Sequence, residues 1–242
     1  MNRAQKVGLW VFGICSTLLL SFFLAPLSVE TGGVPPLSGR ANAIDYQYVE
    51  GFGSWGNSNH SGEIGHNQNE HGLFAWSDLN PFAALIYAFG DLNCHQKYER
   101  SWTINDNQLP VCARDIGIFL GLAIGGWWFH RKGNNRWTVT DSFLSVIPES
   151  SLESLYRKGH RKIAAFSIAA FGILPTGIDG FTQLLTSYES TNPVRLMTGS
   201  TLGIFLAFLF CAMLSARPGE FDGRPEDVHL PGGARLIRKE EE

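Results

Sequence analysis

The sequence predicts an all-α membrane protein: about four transmembrane helices, one short interfacial or re-entrant helix and a long polar extracytoplasmic loop. Three observations carry that prediction. Apolar residues collect in four blocks, Val7–Pro26, Ile116–Phe129, Ile163–Tyr188 and Leu196–Leu214, most of them near the ~20 residues that cross a bilayer core. The stretches between them are polar and rich in Gly, Asn and Ser, so a mean hydropathy near zero averages greasy and wet segments. Basic residues crowd Arg131–Lys162 and are missing from the turn Glu189–Val194, and short loops rich in Lys and Arg stay cytoplasmic. The formal charge of −3 argues against nucleic acid as a partner. The expected partner is the lipid bilayer.

Residues 1–26 are expected to form a retained transmembrane helix that starts with Arg3 and Lys6 on the inside. A cleaved signal peptide also begins basic and turns apolar, but the small-x-small site Ala41-Asn42-Ala43 lies far beyond the apolar end. Cys15, inside the helix, reads as a small buried hydrophobe.

Residues 27–80 form the polar extracytoplasmic loop, with turns at Gly32-Gly33 and Pro35-Pro36 and a short strand expected at Asp45–Val49. His60, His66 and His71 lie in it without the spacing of a known metal site. Asn59-His60-Ser61 fits the glycosylation acceptor pattern.

The membrane domain spans residues 81–215. Asn80-Pro81 starts a helix, and the run Phe82–Leu92 is too short to cross. It leads to Cys94, His95, Arg100, Cys112, Arg114 and Asp115, just ahead of the second apolar block. Gly117, Gly121 and Gly125 share one face of that block, and Gly199 and Gly203 repeat the spacing in the fourth, which lets helix backbones approach closely. The cytoplasmic loop carries a capping-box pattern, Ser150-Ser-Leu-Glu153. In the third block, Pro175, Gly177 and Gly180 predict a kink or local unwinding beside Asp179. Asp179 lies about 12 Å inside the outer end, at ~1.5 Å per residue. A charge at that depth costs about 2.5–3.5 kcal/mol on insertion scales unless it is paired or hydrated. Gln183 lies one turn further out. The tail over 216–242 is rich in Pro, Gly and charge and reads as disordered and cytoplasmic. With four crossings both termini are cytoplasmic, in the cell membrane, and Cys94, His95 and Cys112 face outward.

The run Cys94-His95-Gln96, Arg100-Ser101, Pro110-Val-Cys112-Ala-Arg114 with Gly117 and Gly121 resembles the prokaryotic membrane family catalogued as domain of unknown function 2085. Asp179-Gly180 with Gln183, and Ser190-x-Asn192 with Arg195, Thr198 and Gly199, match its second half. The resemblance covers about residues 90–205 and implies a small multi-pass membrane protein without an assigned activity. A further cysteine often follows the Cys-Ala-Arg unit in that family. Here the position holds Asp115, which weakens a site built on three thiols.

Three functional readings stay open. A membrane enzyme acting on a polar or anionic substrate would use Asp179, His95, Arg114, Arg195 and Gln183 at an outer-face site, with Asp179 expected to pair with Arg114 or Arg195. Cys94, His95 and Cys112 are zinc-type ligands for a metal version of that site. A structural or interaction protein would instead join Cys94 to Cys112 by a disulfide, as an oxidising outer face allows. A small transporter or proton path would run through Asp179, although no inverted repeat supports it.

Overall fold

The structure, a computed structural model, describes residues 1–36, 76–94, 97–217, 219, 224 and 227–236. The strand expected at Asp45–Val49, His60, His66, His71, the acceptor Asn59 and the site residue His95 lie outside the described residues. Helices dominate: α1 (Arg3–Leu27), α2 (Pro81–Asn93), α3 (Ala113–Lys132), α4 (Val139–Leu144), α5 (Glu149–Arg157), α6 (Arg161–Leu185) and α7 (Asn192–Ser215). Two short strands, β1 (Thr103–Ile104) and β2 (Asn107–Gln108), form an antiparallel hairpin between α2 and α3.

Among the described residues three helices, α1, α6 and α7, are long and apolar enough to cross a membrane. The expectation was four. The helix that falls short is α3, because Arg114 and Asp115 occupy its first turn and His130, Arg131 and Lys132 its last. What remains, Ile116–Phe129, is shorter than the ~20 residues of a span.

The chain divides into two compact units. One comprises residues 1–16, 118–188 and 198–242. Its helices pack through small residues: a Cβ on Gly121 would lie 2.2 Å from the Ser200 carbonyl oxygen and 2.9 Å from Gly203 Cα. Nothing larger than hydrogen fits there, so α3 and α7 run backbone to backbone. The hydroxyl of Thr176 on α6 donates to the Thr198 carbonyl at 2.7 Å. The outer surface of α6 is apolar, with Phe166, Phe171, Ile178, Phe181, Leu184 and Leu185 exposed, as lipid-facing side chains should be.

The local unwinding expected at Pro175 is not found: α6 is helical from Arg161 through Leu185 with Pro175 inside it, and among the described residues a Cβ on Gly177 or Gly180 would meet nothing within 4 Å. The capping-box expectation fails too. α5 begins at Glu149 after Pro148, with no side-chain cap, so Ser150 already lies within the first turn. Pro148 fixes its own φ, and the helix starts two residues earlier than a cap at Ser150 would give.

α4 and α5 cover a polar knot in this unit. Thr138 caps α4 by accepting the Asp141 N–H, and the buried Asp141 carboxylate accepts from the Thr138 and Tyr156 hydroxyls, each at 2.5 Å. Arg161 reaches the same carboxylate at 3.4 Å. Burial first, then the hydrogen bond to Asp141, pushes the Tyr156 phenol far above its ordinary value of 10.0. The tail, expected to be disordered, contributes Val228 and Leu230 to the apolar core formed by Phe143, Leu144, Leu152 and Phe208.

The other unit comprises residues 17–117 and 189–197. α2 starts as expected, with Pro81 in the first turn and the Asn80 side chain accepting from Ala83 N–H. Asn105 and Asp106 both have positive φ, 55° and 57°, the geometry of a two-residue hairpin loop that Asn and Asp tolerate. Buried Asn107 then ties the hairpin to the chain after α1. Its amide donates to the carbonyls of Pro26 at 2.9 Å and Glu30 at 3.0 Å, and its oxygen accepts from Val34 N–H at 2.7 Å. Tyr87 of α2 donates to the Gln108 carbonyl at 2.7 Å.

Candidate functional site

The second unit concentrates the charged and sulfur-bearing residues singled out in the sequence. The 3-10 turn Tyr98–Arg100 delivers Arg100, the first turns of α3 deliver Arg114 and Asp115, and the first turn of α7 delivers Arg195. A Cβ on Gly117 would lie 2.3 Å from the Leu196 carbonyl oxygen. Backbone contact there sets the start of α3 against the start of α7.

Arg195 is only 3 % exposed. It donates to Glu189 Oε2 at 2.8 Å and to Asn192 Oδ1 at 3.3 Å. The other oxygen of Glu189 accepts from Arg100 at 2.8 Å, so one carboxylate bridges two guanidinium groups. The charges of Arg100 and Arg114 both bear on Arg195. Asn192 fixes the geometry by donating to the Ser101 carbonyl at 3.0 Å, and Ser101 donates to the Val111 carbonyl at 3.3 Å. Two buried donor atoms beside this network, Arg100 Nε and Ser190 Oγ, have no hydrogen-bond partner among the described residues.

Glu189 is 59 % exposed at its side chain. Its partial desolvation favours the neutral acid, but the hydrogen bond and charge of Arg100, with the charge and hydrogen bond of Arg195, outweigh that. The carboxyl therefore lies below its ordinary value of 4.5. Sequence reading did not place Glu189 in the site. Its position in a turn without Lys or Arg, six residues before Arg195, was the available signal.

Cys94, Cys112 and Asp115 form a second cluster in this unit, their ligand atoms all within 4.8 Å of one another. Cys112 Sγ donates to Asp115 Oδ2 at 3.1 Å. No disulfide joins Cys94 and Cys112.

Asp179 and Gln183 belong to the first unit. Asp179 is 7 % exposed. Gln183 Nε2 donates to its carboxylate at 2.9 Å and to its main-chain carbonyl at 3.1 Å, the one-turn relation that the sequence spacing predicts.

Residues 94–209 match the model of a family described as predicted membrane protein, domain of unknown function 2085. An uncharacterized protein of Methanothermobacter thermautotrophicus is 32 % identical over 116 residues, 48 % of this chain and 82 % of that protein. The chain belongs to this family. An uncharacterized protein of Methanocaldococcus jannaschii is 28 % identical over 123 residues, 51 % of this chain and 64 % of that protein. No solved structure matches the chain significantly. Both the arginine network and the Cys94–Cys112–Asp115 cluster fall within or at the edge of the part matched by the domain of unknown function 2085 family, whereas α1 and α2 precede it.

Proposed function

We propose that this member of the domain of unknown function 2085 family is a four-span membrane protein that captures an anionic group at its extracytoplasmic face. The observation that carries the reading is that Glu189 bridges Arg100 and Arg195, with the charge of Arg114 also bearing on Arg195. Guanidinium groups stay protonated at any accessible pH, so negative charge is favoured beside them. An anion with several oxygens, such as a phosphate or carboxylate, suits their planar donor forks. Arg100 Nε and Ser190 Oγ add two donors not already engaged. Lipid headgroups and soluble phosphates share this chemistry, and an enzyme acting on either would use the same capture step.

Packing within the first unit supports the four-span topology. Arg3 donates to the Leu214 carbonyl at 2.9 Å, Ala4 N–H to Asn135 Oδ1 at 2.8 Å, and Arg161 pairs with Asp141. The start of α1, the ends of α3 and α7 and the start of α6 therefore share one end, the one carrying the basic loop. Such an arrangement lets α3 cross antiparallel to α1. Its glycines face neighbouring helices, which excuses its weaker hydropathy.

The test uses the full chain in detergent, with melting temperature and native mass spectrometry as readouts. Inorganic phosphate and anionic phosphatidylglycerol are compared with zwitterionic lipid. Binding of either anion supports capture, and the stronger one identifies the source. Arg100→Gln should weaken the response about tenfold, the worth of one charge-assisted hydrogen bond. If neither anion binds, or if Arg100→Gln responds as the unmodified chain does, capture is refuted.

A further inference from the structure

We infer that Cys94, Cys112 and Asp115 together hold one divalent metal ion of the zinc class. This inference stands apart from the arginine network and rests on donors brought together from two elements, the end of α2 and the start of α3. Cys94 caps α2, its N–H bonded to the Gly90 carbonyl at 2.8 Å. Cys112 opens α3, its carbonyl accepting the Ile116 N–H at 3.1 Å. Asp115 follows one turn later on the same helix face.

The two cysteines are far apart in sequence, and backbone contact brings them together. A Cβ on Gly90 would fall 1.8 Å from the Pro110 carbonyl oxygen. The last turn of α2 and the segment leading to Cys112 thus touch without side chains between them. Any larger residue at position 90 would separate the two sulfurs.

Donor chemistry chooses the ion. Two sulfurs and one carboxylate are soft-to-borderline ligands, which favour zinc-like ions over magnesium or calcium. Ligands at ~2.0–2.3 Å from one ion lie about 3.3–3.8 Å apart, and side-chain rotation closes that distance from within 4.8 Å. The hydrogen bond from Cys112 Sγ to Asp115 occupies lone pairs that a metal would take, with the thiol proton released. Two thiolates and a carboxylate carry three negative charges, which a divalent cation reduces to one. A disulfide would consume the two sulfurs and leave the approach of Asp115 without a role. Three protein ligands leave one position open, the pattern of ions that bind or activate an exchangeable ligand.

The experiment titrates cobalt(II) into the reduced full chain in detergent, with zinc as competitor. About one cobalt per chain should bind, giving the thiolate-to-cobalt absorption of a four-coordinate site and yielding to zinc. The double variant Cys94→Ser, Cys112→Ser should lose the absorption. Should the double variant fail to fold, Asp115→Asn decides, since it keeps both thiols and the size of the side chain. It should retain thiolate absorption but bind cobalt at least about tenfold more weakly, because loss of even an outer partner costs that much. Three results overturn the site: a reduced chain without thiolate absorption, a folded double variant that binds unchanged, or an Asp115→Asn affinity equal to that of the unmodified chain. Two thiols that appear only on reduction, with no cobalt bound afterwards, assign the pair to a disulfide instead.

Discussion

At the scale of single residues, polar groups are held by partners that the sequence alone does not name. Arg195 was legible as an outer-boundary arginine. Within its own unit it also pairs with Glu189, a residue six positions earlier in the intervening turn that no pattern of helix faces singles out. Glu189→Gln should lower the melting temperature by an amount corresponding to about 1 kcal/mol, the upper range for a solvent-screened pair. The sign of the pH dependence follows from the depressed carboxyl. Its stabilisation is fully present above the ordinary value of 4.5 and is lost as pH falls through the lower folded value. Melting curves of the two chains should thus converge on acidification, and a constant gap below that range would rule out the pairing. Tyr156→Phe probes the Asp141 knot in the same way. Removing one hydroxyl from a buried carboxylate should cost about 1–3 kcal/mol, measured as a lower melting temperature at neutral pH.

At the scale of helices, spacing says where glycines gather but not which of them touch anything. The stripe Gly117, Gly121 and Gly125 and the pair Gly177 and Gly180 look equally suggestive in the sequence. In the structure Gly121 faces backbone at 2.2 Å, while Gly177 faces nothing within 4 Å. Identical substitutions should therefore act oppositely. Gly121→Ala forces α3 away from α7 and should reduce folded yield. Gly177→Ala adds a helix-favouring methyl into open space and should stabilise by up to about 1 kcal/mol. Equal melting temperatures for the two variants would dismiss the close approach of α3 to α7. The hairpin Thr103–Gln108 was missed, although Asn105-Asp106 carries its turn chemistry. Two-residue strands are too short for alternation to register. The α5 start was misplaced for a related reason: Pro148 and the Ser150 pattern both signal an entry, and the fixed φ of proline wins.

At the scale of the whole chain, the all-helical membrane character was readable because apolar blocks and basic loops are long-range, averaged signals. The number of crossings was less so: the sequence predicts four, and among the described residues three helices are long and apolar enough to span, because α3 gives its ends to charged residues. Orientation is the decisive test of the proposed topology. Arg131, Lys132, Arg136, Arg157, Lys158, Arg161 and Lys162 lie in one loop, and Arg136 and Arg161 are additionally locked by Glu149 and Asp141. Moving this loop across the bilayer would oppose the charge bias that holds short basic loops inside. Single cysteines introduced at positions 154 and 189 of an otherwise cysteine-free chain report both faces at once. An impermeant thiol reagent applied to intact cells should label position 189 and reach position 154 only after permeabilisation. Labelling of 154 in intact cells would invert the topology and move the arginine network to the cytoplasmic face. Labelling of both positions would mean that the chain crosses an even number of times between them, so that α6 does not span.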